Sequence, residues 1–391
     1  MTPKMMDRYI RIYRDGLLKD TVPFWLDHCV DRKCGGFMTF LDADGSVVCT
    51  DKPIWVMGRI TWLMSRLYNA VEKKGRWLAL AKHGIDFLSK YGFDKDGRMF
   101  YSVTRDGRPL RKRRYLFSES FAVIAFAEYA KATGDESCRQ KAIEIYKMMW
   151  KYHTTPGLLE PKMIPQTRQL KSHAMPMILL AITQVLRQVD DDPLYKQVAD
   201  DAIFQVKNHF MNSKLKVVLE NVGPCGEFLD EPMGRVVNPG HAIETAWFIM
   251  EESRYRKDPS LVPTATKIID WSLDVGWDTK YGGILYFVDA KGYPCEQYEH
   301  DMKLWWPHNE AIYATLLAYH LTGDSKYEQW HRKIHDWSYA HFPDRKYGEW
   351  FGYLHRDGTV SSTLKGNMWK GPFHLPRMQL YCWKLLEAMS R

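Results

Sequence analysis

Tyr281-Gly282-Gly283-Ile284 leads through Tyr286 to Asp289 and Gly292, and the chain then runs into Lys303-Leu304-Trp305-Trp306-Pro307-His308-Asn309-Glu310 and an apolar stretch ending near residue 320. The first part is a glycine turn, a short alternating segment and an Asp/Gly signal, the pattern of a small hairpin. The second part has no polar face, which marks a helix buried on all sides. The unit recurs. Cys34-Gly35-Gly36-Phe37 leads through Phe40 to Asp44-Gly45, and Tyr347-Gly348-Glu349-Trp350 leads through Tyr353 to Asp357-Gly358. Weaker copies run from Tyr91-Gly92 to Asp106-Gly107 and from Leu219 to Gly226.

Helices of the buried kind are expected over 54–72, 116–131, 173–187, 240–250, 304–320 and 372–387. One-sided helices alternate with them over 7–29, 76–91, 136–152, 193–210, 261–275 and 325–341. Within 325–341 the apolar stripe reads Tyr327, Trp330, Ile334, Trp337 and His341, and Pro23 interrupts the first helix. Ala132-Thr133-Gly134-Asp135 and Leu321-Thr322-Gly323-Asp324 each read as one helix ending and the next being capped. A period of roughly 55–70 residues means an array. A linear array would end in polar caps, but 372–387 is as apolar as the helices in the middle, so the array closes into a ring. The expected fold is all-α: an (α/α)6 barrel of six inner and six outer helices with short β-hairpins in the connecting loops. No Pro/Ser/Gly linker divides the chain, so residues 1–391 read as a single domain.

Composition excludes several classes. With 45% hydrophobic and 26% charged residues the chain is neither disordered nor fibrous. Its charge of +8 is dispersed among acidic residues apart from the run Arg108 to Arg114, which argues against nucleic-acid binding. That run reads as a solvated basic loop or as an anion site near the mouth of the barrel. Seven scattered cysteines without a C-x-x-C pair, no N-terminal apolar segment and no apolar run near ~18 residues point to a reduced, cytoplasmic protein away from membranes. Aromatic residues reach 14%, and Trp and Tyr suit sugar-like ligands because each joins an apolar face to a polar handle.

The polar residues that break the inner-helix pattern fall at the helix N-termini: Arg59, then Ser118-Glu119-Ser120, His173, His241 with Glu244, His308 with Glu310, and His374 with Arg377. In a ring of parallel inner helices these ends meet at one mouth, rimmed by Trp55, Trp305, Trp306 and Trp369. His241/Glu244 and His374/Arg377 are i, i+3 pairs on one helix face. A lone histidine at a helix start is usually structural, and His28, His153, His320, His331 and His335 fall in that class. His308, after Pro307, reads as a cap or as a substrate contact. There is no H-E-x-x-H, P-loop or G-x-G-x-x-G, so neither a metal nor a dinucleotide is expected.

Asn238-Pro239-Gly240-His241-x-x-Glu244, Lys303-Leu304-Trp305-Trp306-Pro307-His308-x-Glu310, Tyr347 to Tyr353 and Lys370-Gly371-Pro372-Phe373-His374-x-Pro376-Arg377 together resemble the N-acylglucosamine 2-epimerase family, over nearly the whole chain. The resemblance implies an (α/α)6 barrel, a homodimer, interconversion of N-acetylglucosamine and N-acetylmannosamine, and ATP as an activator that is not consumed. It assigns His241 and His374 as acid/base residues and Arg59, Glu244, Glu310 and Arg377 as their charged support. Trp369 and His173 match sugar-site residues of the related cellobiose enzymes. With Trp306 and His308, these make up the expected substrate contacts; no nucleotide-binding residue follows from the resemblance.

Inverting C2 of an aldose requires a ring-opened aldehyde, a base on one face and an acid on the other. Two histidines with pKa near ~6.5 suit that task, and Arg59 would hold the enolate oxygen. Glu244 would hold one histidine and Arg377 would orient the substrate. The competing readings are an aldose–ketose isomerase, a cellobiose 2-epimerase, a glycoside hydrolase using Glu244 and Glu310, and a protein-binding barrel.

Overall fold

The computed structural model describes residues 1–391 apart from Arg114, Lys162 and Arg391. Helix α1 (Pro3–Asp15), a π-helical segment (Gly16–Thr21) and α2 (Val22–His28) form the first outer element, followed by inner α3 (Ile54–Ala70) and outer α4 (Gly75–Tyr91). Inner α5 (Phe117–Thr133), outer α6 (Glu136–Thr154), inner α7 (Ala174–Leu186) and outer α8 (Pro193–Gln205) continue the alternation. A short α9 (Pro232–Arg235) lies in the connection to inner α10 (Pro239–Arg256). Outer α11 (Val262–Gly276), inner α12 (Trp305–Thr322), outer α13 (Ser325–His341) and inner α14 (His374–Met389) complete an (α/α)6 barrel. Among the described residues no helix is long and apolar enough to cross a membrane.

Burial follows the two helix flavours. In α12 every residue from Trp305 to Ala318 is buried, whereas α13 buries only Tyr327, His331, Ile334, His335 and Ser338. That stripe is turned from the one expected. His331 and His335 take the inward positions because the Tyr13 hydroxyl of α1 lies 3.1 and 2.9 Å from their rings. Trp330 instead packs on Trp277, and Trp337 on His308. The helix-to-helix corners form as their sequence indicates. Gly134 and Gly323 adopt φ of 74° and 69°, the left-handed conformation that ends a helix, and Asp135 and Asp324 cap the next one. Ahead of Pro23, which lacks an N–H, the first outer element widens into the π-helical segment, where the Val22 amide reaches back to the Leu17 carbonyl.

The hairpins pair differently from the sequence expectation. Each was read as closing on itself, but several also join neighbouring repeats around the mouth. Lys52–Pro53 pairs with Ser102–Val103, Lys171–Ser172 with Asn221–Val222, Val236–Val237 with Val288–Asp289, and Lys303–Leu304 with Tyr353–Leu354. The Leu41 amide donates to the Gly366 carbonyl at 3.1 Å and joins the first repeat to the last.

A buried ion pair locks this collar in three places. Asp31, Asp278 and Asp344 each stand three residues before a turn Cys-Gly or Tyr-Gly pair and accept the amides at its start. Lys52, Lys303 and Lys365, which follow in the chain, reach back to them at 2.9–3.0 Å. Arg105 and Arg356 add a second cation to Asp31 and Asp278. Burial alone would raise the Asp278 carboxyl, but hydrogen bonds from Arg356 and Lys303 outweigh it and hold the group well below the usual carboxylate range. Asp278→Asn strands the buried Lys303 and is expected to cost about 3–5 kcal/mol at pH 7. A carboxyl depressed in the folded state stabilises above its unfolded pKa of about 3.9 and loses that contribution in acid. Denaturant melts of the two proteins should therefore differ at pH 7 and converge as the pH falls below about 4.

Candidate active site

The N-termini of the inner helices surround a cavity of about 1120 Å³ that takes in Trp55, Arg59, His241, Glu244, Trp306, Trp369, His374 and Arg377. Six segments far apart in sequence meet there because the inner helices run parallel. Trp306 packs against both histidines, its ring centroid 5.0 Å from that of His241 and 5.7 Å from that of His374. Trp369, 41% exposed, packs edge-on against Trp55 at the rim.

Both histidines are oriented by carboxylates. His374 Nδ1 is 2.6 Å from Glu310 Oε1, and the same oxygen accepts from the Arg377 guanidinium at 2.7 Å. Glu310 Oε2 accepts the Trp247 indole N–H at 2.7 Å, so this buried carboxylate ties α10, α12 and α14 together. Arg377 also donates to Glu244. His241 Nδ1 faces both oxygens of Glu220 at 3.0 and 3.1 Å, and the Asn238 side chain caps its amide. With each Nδ1 turned to a carboxylate, Nε2 is the ring nitrogen on the cavity side. Burial drives the His374 pKa well below its ordinary value, so the ring is neutral near pH 7.

Arg59 is held by aromatic faces: its guanidinium carbon is 4.1 Å from the Phe121 ring centroid, 4.4 Å from Trp55 and 4.9 Å from Phe373. Burial lowers its pKa to about 9, leaving it charged at neutral pH. A cation with π faces around it and a hydrogen bond of 3.4 Å to the Trp369 carbonyl is pre-placed for an oxygen that becomes negative.

Three expectations need correction. His308 does not reach the cavity. It is fully buried, donates from Nδ1 to the Leu304 carbonyl at 2.7 Å, accepts the Ile284 amide at 2.9 Å and stacks on Trp337, pinning the hairpin to the outer layer. His173 is likewise buried behind the wall, 3.2 Å from the Thr245 hydroxyl and against Phe210. Burial lowers its pKa to about 4, which suits a packed neutral ring. Glu244 shares a helix face with His241 but pairs with Arg377, and Glu220 takes the role of holding His241. Glu220 was missed. Its one signal is a carboxylate ending the apolar segment Val217-Val218-Leu219. Glu119, at the start of α5, bonds Arg98 and the Met99 amide and is structural.

Glu244, Glu310 and His374 bring ligand atoms within 4.8 Å of one another, a composition that could hold a metal ion. The Arg377 guanidinium already donates to both carboxylates and supplies the positive charge there. In the basic loop, Arg108 pairs with Asp106, Lys112 with Asp94, and Arg113 with Asp94 and Asp96, while Arg111 lies over the Tyr101 ring. Carboxylates thus answer three of its cations; Arg114 lies outside the described residues.

The ring of helices encloses a cavity walled by aromatic rings, with two carboxylate-backed histidines and a caged guanidinium, and places the chain among enzymes of the (α/α)6-barrel class. Residues 35–374 match the N-acylglucosamine 2-epimerase (GlcNAc 2-epimerase) family, and the chain belongs to it. It is 36% identical over 392 residues to N-acylglucosamine 2-epimerase of Bos taurus, covering 97% of this chain and 92% of that one. The corresponding Mus musculus protein is 35% identical over 381 residues, with 95% and 90% covered. Among solved structures, cellobiose 2-epimerase from Spirochaeta thermophila superposes with a TM-score of 0.87 over 100% of this chain and 99% of that one. Its 20% sequence identity makes this a likeness of fold.

Proposed function

We propose that the chain interconverts N-acetylglucosamine and N-acetylmannosamine by inverting C2 of the ring-opened sugar. The observation that carries this reading is the pair His241 and His374, both in contact with Trp306 at the cavity and each backed by a carboxylate. One imidazole removes the C2 proton, and the C2–H electrons move through C1 to the aldehyde oxygen, giving an enolate whose charge Arg59 faces. The other ring, which enters the step as imidazolium, returns its proton to the opposite face of C2 and becomes neutral as the first becomes imidazolium. In the reverse direction the two exchange roles, so each needs a partner able to balance an imidazolium, and Glu220 and Glu310 are placed to do so. The names of the relatives at 35–36% identity support the acetamido sugar as substrate.

The family resemblance also supports a cytoplasmic homodimer and ATP as an activator that is not consumed; no step above involves the nucleotide. Proton NMR in D2O with N-acetylmannosamine, with and without ATP, tests the reading. N-acetylglucosamine carrying deuterium at C2, formed faster with ATP, is expected. Turnover confined to mannose or cellobiose in parallel tubes would move the chain to a sister activity.

A further inference from the structure

The cavity continues below the acid–base groups, down the bore to Arg66, Gln184 and Arg254 near the far ends of the inner helices. Its walls differ. Near the acid–base groups α3, α10 and α14 carry Arg59, Glu244 and Arg377, whereas α5 and the first three turns of α7 present Phe121, Ile124, Met177, Ile178, Ala181 and Ile182; Gln184, Arg187 and Gln188 follow only toward the far end. Ile178 and Ala181 are only half-buried, although Leu179 and Leu180 beside them on the same inner helix are buried. An inner helix that leaves an apolar i, i+3 stripe open toward a cavity has an apolar ligand to cover it.

We propose that this trough receives the acyl substituent on the C2 nitrogen and accepts linear chains well beyond acetyl. The proposal rests on the C2 inversion argued above. The nitrogen is bonded to the reacting carbon, whose two faces are taken by the histidines, and the C3–C6 hydroxyls need polar partners or water at the mouth. That leaves the acyl carbons for the apolar stretch of wall from Met177 to Ile182. A second sugar would fit poorly, since hydroxyls buried against Ile124, Ile178 and Ile182 would find no partner there. From Met177 to Ile182 the helix rises about 7.5 Å, the span of a six-carbon acyl chain.

The experiment compares N-acetyl-, N-butanoyl- and N-hexanoylmannosamine by NMR, reading kcat and KM separately. A buried methylene favours binding by up to about fourfold, so KM for the hexanoyl sugar should be at least tenfold below that for acetyl, with similar kcat. Ala181→Trp, which fills the trough, and Ile178→Asn, which makes it polar, should each cut the hexanoyl-over-acetyl preference tenfold; circular dichroism checks folding. Calorimetry with N-acetyl- and N-hexanoylmannosaminitol, which lack the C1 aldehyde and cannot react, reads the trough apart from turnover. If no acylhexosamine is turned over, the inversion fails and the alditol affinities alone decide the trough. A hexanoyl chain that binds no better than acetyl, or a preference untouched by both variants, overturns the proposal.

Discussion

Replacing His374 with alanine is expected to lower kcat for C2 inversion by roughly 10²–10⁴-fold while leaving the fold intact. In the proposed inversion this ring is one of the two that carry the C2 proton. Glu310 keeps Arg377 and Trp247 as donors in the variant, so no buried charge is stranded. His241→Ala should lose epimerisation to a similar degree. In D2O each single variant should still exchange the C2 proton of one epimer through the histidine it retains, without forming the other epimer. Full epimerisation by either variant would end the two-histidine scheme. The pH profile is a second reading of the same site. Burial pushes the His374 pKa well below the ordinary ~6.5, so protonation of this ring should not produce a fall in kcat/KM near that pH. The same shift acts on stability. Below about pH 6.5 the unfolded chain binds a proton that the folded ring refuses, so this group destabilises the fold increasingly in acid.

Glu310→Leu is expected to damage stability and catalysis together. One carboxylate serves His374, Arg377 and Trp247. Its removal leaves the buried Arg377 with Glu244 alone, orphans the indole N–H and frees the His374 ring to change tautomer. Breaking a buried charge network of this kind costs about 3–5 kcal/mol, which for a chain of this length lowers the melting temperature by roughly 5 °C. Glu310→Gln separates the two effects. An amide keeps one of the two acceptor oxygens but cannot balance an imidazolium, so more of the stability should survive while kcat stays low. Thermal melts and steady-state kinetics on both variants check this. A Glu310→Gln enzyme with ordinary kcat would show that the carboxylate only holds the helices in place.

The barrel was legible in the sequence because its signals are local. A helix buried on all sides and a helix with one apolar stripe differ in periodicity, and the corners at Gly134-Asp135 and Gly323-Asp324 are written in four residues each. The expected and observed helices agree to within a few residues, the larger differences being the break of the first outer element, the longer α10, the short α9 and α8, which passes into a π-helical segment at Val206–Phe210. Convergence at the mouth was legible for the same reason: the residues that break an apolar pattern sit at one end of every inner helix.

Direction and partnership were not legible. His308 and His241 occupy similar places near inner-helix starts, yet one ring turns into the outer layer and the other into the cavity. Each residue turns a helix by about 100°, so a shift of one or two positions reverses what a side chain faces, and the phase is set by packing against neighbours. Likewise Glu244 was expected to hold His241 because the two share a face, and only the approach of α14 shows that Arg377 takes it instead.

By itself, then, the sequence determined the alternation of helices, their caps, the closed ring and the belt of polar residues at one end, since these depend on contacts within a few turns of chain. Which carboxylate backs which histidine, which histidines leave the site, how the hairpins stitch neighbouring repeats and which wall of the bore is apolar were decided by the tertiary structure. The ionic partnerships depend on side chains 21 to 133 residues apart meeting at hydrogen-bond distance, and spacing along the chain carries no information about such meetings.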